Sequence, residues 1–138
     1  MKVDISSLKQ LDKFAQTFSQ SIKAGDIIFL EGDLGSGKTT FTQLLLKHLG
    51  YEGRVRSPTY AIYESYKLSQ FELFHMDLYR LSSPEELYYM AIEEIIDKQN
   101  VVVIEWPQKG KGVLPAATKL LTFSLINSSL RELNLDIA

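Results

Sequence analysis

The sequence predicts an α/β fold of three layers, a mixed sheet with a parallel centre and antiparallel edge strands, on three observations. Val101-Val102-Val103-Ile104 is an unbroken β-branched run, the pattern of a parallel strand covered on both faces. A second apolar run, Ile27-Ile28-Phe29-Leu30, enters a glycine-rich turn followed by an amphipathic helical stretch. Two further segments pair apolar or aromatic runs across short polar turns, as hairpins do. One domain over residues 1–138 is expected, because a 45% hydrophobic chain of this length buries a real core but leaves no room for an appended lid.

Element by element, Leu8, Leu11, Phe14, Ala15, Phe18 and Ile22 recur at helical spacing. Ser7 and Gln10 supply a capping box, and Gly25 a stop. Ile27 to Leu30 is the first predicted strand. After the turn, Phe41, Leu44, Leu45 and Leu49 mark the buried side of a helix that Gly50 ends. Tyr60 to Phe74, interrupted by Ser69-Gln70, predicts two strands in a hairpin. Ser83-Pro84-Glu85-Glu86 opens another helix, with Ser83 as cap, Pro84 in the first position and Glu86 completing the box; both glutamates have a helix-dipole reason to be there without a catalytic one. Val101 to Ile104 delivers Glu105 to a strand's carboxyl end, the edge where open α/β sheets bind ligands. Leu120 to Ile126, with Leu133, Leu135 and Ile137, predicts a second hairpin around Asn127-Ser128-Ser129. No internal repeat, linker or low-complexity tract interrupts this order.

The turn after the first strand carries the chemistry. Gly32-Asp33-Leu34-Gly35-Ser36-Gly37-Lys38-Thr39 fits the phosphate-loop pattern G-x-x-x-x-G-K-[ST] and sits between strand and helix as that motif requires, so the fold expected is P-loop NTPase-like. Its glycines let successive N–H groups curl toward phosphate oxygens at a helix N-terminus. Asp33, Leu34, Gly35, Ser36, Gly37, Lys38, Thr39 and Thr40 are the expected nucleotide-binding residues, with Lys38 reaching the β- and γ-phosphates and the Thr39 hydroxyl placed for Mg²⁺. The bland alternative is a glycine-rich turn that binds nothing.

Phosphate chemistry also needs a held metal and an oriented nucleophile. Three segments could supply them, each with an ordinary structural alternative. Arg56-Ser57-Pro58-Thr59-Tyr60 is a polar turn in the position of a switch segment, with the Thr59 hydroxyl available to metal or γ-phosphate; otherwise it is a Ser-Pro turn. His75-Met76-Asp77-Leu78-Tyr79-Arg80 follows the end of the first hairpin and offers Asp77 as an acid and Arg80 as a phosphate partner; otherwise these form a surface ion pair. Glu105-Trp106-Pro107 places an acid, able to face the Mg²⁺ and γ-phosphate, beside the only tryptophan; otherwise it is a strand terminus whose indole packs.

Composition narrows the class. The chain has no cysteine, which removes disulfides and thiolate metal sites and fits a reducing cytoplasm. The sequence offers neither an N-terminal apolar leader nor a membrane-length apolar run, so a cytoplasmic protein without membrane contact is expected. With 15 Lys plus Arg against 17 Asp plus Glu, the net charge of −2 lacks the footprint of autonomous nucleic-acid binding.

In this order the motifs GDLGSGKTT (32–40), SPTY (57–60), FHMDLYRL (74–81) and IEWPQKG (104–110) resemble the TsaE family, also called YjeE, small bacterial P-loop ATPases of tRNA threonylcarbamoyladenosine synthesis. The resemblance implies ATP and Mg²⁺ as cofactors and slow hydrolysis alone. It also implies a TsaB–TsaD heterodimer as partner, which moves the threonylcarbamoyl group onto adenosine beside the anticodon, so that tRNA is met only through the complex. Mapped by motif, Thr39 and Thr59 look like metal or γ-phosphate contacts, Asp77 like the essential acid of the DLYRL segment, and Glu105 like the end of a Walker B-like strand. That makes Lys38, Asp77 and Glu105 the expected catalytic set and Thr39, Thr59, Asp77 and Glu105 the expected metal set, with Trp106 beside the nucleotide. Which of Asp77 and Glu105 orients the attacking water stays open. Two departures from the family pattern fall in one loop: Gln108 stands where many relatives have Glu, and Ala116-Ala117-Thr118 lacks an acid.

Two other functions remain. A small-molecule kinase is disfavoured by the lack of an Arg-rich lid segment, only Arg54, Arg56, Arg80 and Arg131 being present. A nucleotide-gated assembly module would use ATP binding, not hydrolysis, to control docking. A GTPase is disfavoured by the missing N-K-x-D segment.

Overall fold

The computed structural model describes residues 1–58 and 62–138. Among these, seven strands form one sheet in the order β1-β7-β6-β2-β5-β4-β3. They are β1 (Lys2–Asp4), β2 (Ile27–Glu31), β3 (Tyr63–Lys67), β4 (Glu72–Asp77), β5 (Asn100–Glu105), β6 (Lys119–Leu125) and β7 (Arg131–Ile137). The centre, β6-β2-β5-β4, is parallel, and antiparallel β7, β1 and β3 complete its edges. This is the mixed α/β sheet expected.

Strand alternation divides the core in two. Ile28, Leu30, Leu73, Val101 and Val103 face helices α1 (Leu8–Ser19) and α2 (Lys38–His48), where Leu11, Phe14, Phe18, Phe41 and Leu45 pack. On the other face Met76, Val102 and Ile104 meet Leu87, Ile92 and Ile95 from two single-turn helices, α3 (Glu86–Tyr89) and α4 (Ile92–Ile95). β5, between β2 and β4, is covered from both sides, and its run from Val101 to Glu105 is buried throughout.

Local signals explain most boundaries. Ser7 caps α1: its Oγ accepts from Gln10 N–H, and the Gln10 side chain accepts from Ser7 N–H. The helix stops at Ser19, however, not near Gly25. The Gln20 and Ser21 N–H groups turn back to Thr17 and Phe18 carbonyls, and the Ser21 hydroxyl also donates to Phe18 O, so the ladder closes a turn early. Gly50 ends α2 as predicted, with a left-handed φ of +94° and Tyr51 N–H donating to Leu46 O. Two predicted features differ. The Ser83 side-chain cap does not form, the Glu86 carboxylate accepts from Ser82 N–H instead, and left-handed Ala91 splits the segment into α3 and α4. Asp77 ends β4 rather than following the hairpin, because β4 runs on beside β5, with Asp77 opposite Glu105. The three-residue β1 carries too short a pattern to be read from sequence.

At the amino edge of the sheet, Lys119 donates to Asp26 Oδ2 at 2.6 Å, both side chains being at most 7% exposed. Thr118 Oγ1 and Lys23 N–H also donate to the Asp26 carboxylate. Burial alone would push the Asp26 carboxyl up; the Lys119, Lys23 and Thr118 hydrogen bonds outweigh it and hold the carboxyl below its ordinary value. A depressed carboxylate contributes stability that is present above its unfolded value and lost as pH falls through its folded one. Lys119→Met, which strands the buried carboxylate, is therefore expected to cost about 3–5 kcal/mol in urea unfolding.

Candidate functional site

The carboxyl ends of β2, β4 and β5 converge on the first turn of α2. Gly32 follows β2 with φ +148°, and a Cβ placed there would lie 2.7 Å from Phe123 O, so no side chain fits between the loop and β6. Gly37, at the helix N-terminus, takes a left-handed φ of +108°. Between them the loop wraps so that Lys38 points back inward, 4% exposed, its ammonium donating to Gly32 O. Trp106 closes over that ammonium, 4.3 Å from Nζ to ring centroid, and Tyr79 packs against the indole at 5.0 Å. Trp106 holds a left-handed φ of +55°, a conformation costly for a bulky residue, which bends the chain from β5 into a 3-10 turn (Pro107–Gly110) and lays the ring over the loop.

Beneath this lid lie the acids. Asp77 and Glu105 are register partners on parallel strands, so both point to the α2 side. Glu105, 3% exposed, accepts from Thr39 Oγ1 at 3.4 Å and from His75 Nε2 at 2.6 Å, both on Oε2. Asp77 accepts from Tyr79 N–H. Burial raises the Asp77 carboxyl above its ordinary value, and the neighbouring Glu105 charge adds to the rise against the Tyr79 hydrogen bond. Burial also lowers the Lys38 ammonium, opposed by Glu105, Asp77 and Asp33. A desolvated cation and two crowded carboxylates share one wall, an arrangement suited to a polyanion that brings its own cation.

A cleft of about 630 Å³ opens above them, bordered by Leu34, Gly35, Gly37, Lys38, Thr39 and Thr40 from the loop and α2, and by Asp77, Glu105 and Trp106 from the strand ends. Ser57 and Pro58 of the polar turn also border it, as does Arg80; Thr59 lies outside the described residues. Two of the expected loop residues, Asp33 and Ser36, face a smaller hollow of about 300 Å³ behind the loop, against Phe123 and Leu125. The donors facing the cleft from Thr39, Asp77 and Glu105 are all oxygens. Among the described residues no group of three His, Cys, Asp or Glu forms a metal cage. Oxygen donors of this kind are compatible with a hard cation such as Mg²⁺, which takes one or two carboxylates and completes its shell with phosphate oxygens and water.

The model of the family described as "Threonylcarbamoyl adenosine biosynthesis protein TsaE" matches residues 5–133. The chain belongs to the TsaE family. A TsaE from Haemophilus influenzae is 40% identical over 119 residues, covering 86% of this chain and 75% of the relative. One from Borreliella burgdorferi is 36% identical over 130 residues, covering 93% and 94%. The crystal structure of Bacillus subtilis YdiB superposes with a TM-score of 0.82 at 27% identity, over all of this chain and 86% of that one. TsaE membership places the chain in tRNA threonylcarbamoyladenosine biosynthesis.

The structure also assembles residues that the sequence alone did not single out. His75 stands two positions before Asp77 on β4, so the period-two alternation that aims Asp77 at the site aims His75 at Glu105 as well. That signal was available in the sequence. Arg131, from the start of β7, reaches the cleft rim although it lies well beyond the last site motif, which ends at Gly110, and nothing local marks it.

Proposed function

We propose that this chain binds ATP with Mg²⁺ in the cleft above Gly32–Thr39 and hydrolyses it, slowly alone and faster with a TsaB–TsaD heterodimer, in support of threonylcarbamoyl transfer to tRNA adenosine. The observation that carries this reading is the convergence of Lys38, Thr39, Asp77 and Glu105 on one wall of the cleft, with the N-terminus of α2 behind them.

Each residue then has a distinct task. Backbone N–H groups of the loop from Gly35 to Thr39 receive the phosphates. Lys38 exchanges Gly32 O for a phosphate oxygen; its desolvation is already met in the folded protein, so the ammonium loses little on meeting the anion. Thr39, Asp77 and Glu105 would hold Mg²⁺, with Thr59 as a further ligand by family resemblance. Mg²⁺, when bound, would neutralise charge on the phosphate oxygens. Whichever of Asp77 and Glu105 is left facing the γ-phosphate aligns the attacking water, and the Trp106 ring keeps bulk water from Lys38. No helix of the described chain is long and apolar enough to cross a membrane.

The test is phosphate release by the purified protein with Mg-ATP, with and without TsaB–TsaD. Partner-stimulated release without any metabolite acceptor is expected. Assembly without turnover would instead make the chain a nucleotide-gated docking module, and release that needs an acceptor would make it a kinase.

Trp106 gives an optical readout. Because its indole lies against the Lys38 ammonium, withdrawal of that charge to a phosphate changes the field at the ring, and Mg-ATP is expected to shift tryptophan emission. Trp106→Ala should weaken partner-stimulated hydrolysis more than thermal stability, since the ring is only partly buried. Unchanged emission, together with a loss of about 3–5 kcal/mol in the variant, would mark the ring as core packing.

A further inference from the structure

His75 is 1% exposed and lies in the interior of β4, with Glu64 of β3 and Val103 of β5 as its register partners. Its Nε2 is 2.6 Å from Glu105 Oε2, while Nδ1 is buried with no hydrogen-bond partner among the described residues. A carboxylate oxygen can only accept, so Nε2 carries the hydrogen. A hydrogen on Nδ1 would be a buried donor with nothing to receive it, which costs more than a bare lone pair there. The ring is therefore held as the Nε2–H form by one bond.

That bond has a consequence for Glu105. Oε2 takes both the His75 and the Thr39 hydrogen bonds, and Oε1 takes none among the described residues. A glutamate at a strand end has three rotatable side-chain bonds; two donors on one oxygen fix the carboxylate plane and leave the second oxygen for the cleft.

We propose that His75 is a positioning residue for Glu105: through Nε2–H it clamps Oε2 so that Oε1 stays aimed into the nucleotide cleft. This deepens the ATPase reading and rests on it for its kinetic consequence, though the clamp itself does not.

Three replacements test it. Glutamine can place an amide N–H where Nε2 stood, asparagine is too short to reach Glu105, and leucine removes the donor while filling the space. His75→Asn and His75→Leu are expected to lower kcat by about 10- to 100-fold with KM for Mg-ATP changed little, and His75→Gln to recover most of the loss. Thermal melts of all three separate this from a folding defect. If turnover follows melting temperature instead, or if glutamine rescues no better than asparagine, the clamp is wrong. Independently of turnover, long-range ¹H–¹⁵N correlation spectra of the nucleotide-free protein should show His75 as the Nε2–H tautomer. An Nδ1–H tautomer would overturn the proposal even if the protein proves an ATPase. A wild-type protein without ATPase activity but with the Nε2–H signature would overturn the functional reading and leave the clamp standing.

Discussion

Lys38→Ala is expected to reduce partner-stimulated ATP turnover by about 10²–10³-fold, the loss typical when a preorganised charge is removed from a developing oxyanion. The fold should survive. Burial holds the Lys38 ammonium below its ordinary value, so the unfolded chain binds that proton more tightly than the folded one, and the residue's contribution to stability improves only as pH rises through the lowered folded value toward the unfolded one. At neutral pH the buried cation is thus a burden on the fold, eased by Glu105, Asp77 and Asp33. Lys38→Met, which keeps the apolar stem and discards the charge, should melt no lower than wild type at pH 7 while remaining inactive. Normal hydrolysis by either variant in the presence of the partners would sink the phosphate-loop assignment.

Asp77→Asn and Glu105→Gln are expected to reduce kcat by roughly 10²-fold or more while nucleotide affinity falls less, because both acids act on metal and water rather than on the bulk of the ligand. Asp77 adds a pH signature. Its carboxyl is raised, mainly by burial, so its favourable contribution to stability is present in acid and is lost as pH rises through the folded value. Asp77→Asn should therefore match or exceed wild type in melting temperature at pH 7, and the difference should vanish below about pH 3.9, where the carboxyl is protonated in both states. Higher stability with lower activity is what removal of a functional group produces. An Asp77→Asn protein that turned over normally within the complex would remove the residue from the site.

Much of this was legible in the chain because the signals were local. The loop glycines, the Ser7–Gln10 cap, the Gly50 stop and the all-apolar β5 each act within a few residues, and the two hairpins announce themselves at their turns. What escaped depended on distance or competition. β1 exists because β7 is there to pair with it, and three residues carry no periodicity of their own. Ser83 made no side-chain cap because Glu86 N–H turns back to the Ser83 carbonyl, while the Glu86 carboxylate goes to Ser82 N–H, a contest between neighbouring groups that propensity does not decide. At the site, the phosphate loop and the motifs of Asp77 and Glu105 came together because β2, β4 and β5 are parallel and end side by side, whereas Arg131 joined them only through the sheet order β7-β6-β2.

The pairing of Glu105 with Asp77 on one side and Leu30 on the other makes folding fidelity depend on the same acid that serves chemistry. A slip of β5 by one residue that puts Glu105 in the position of Ile104 would turn it into the apolar layer of Met76, Leu78 and Leu87, and bring Trp106 to the strand end in its place. The misaligned sheet would have to bury a carboxylate with no donor to meet it. Every other residue from Val101 to Ile104 is aliphatic and would tolerate either face, so Glu105 is the residue that proofreads the strand's alignment. A chain with β5 misplaced in this way would lose stability and the cleft acid together.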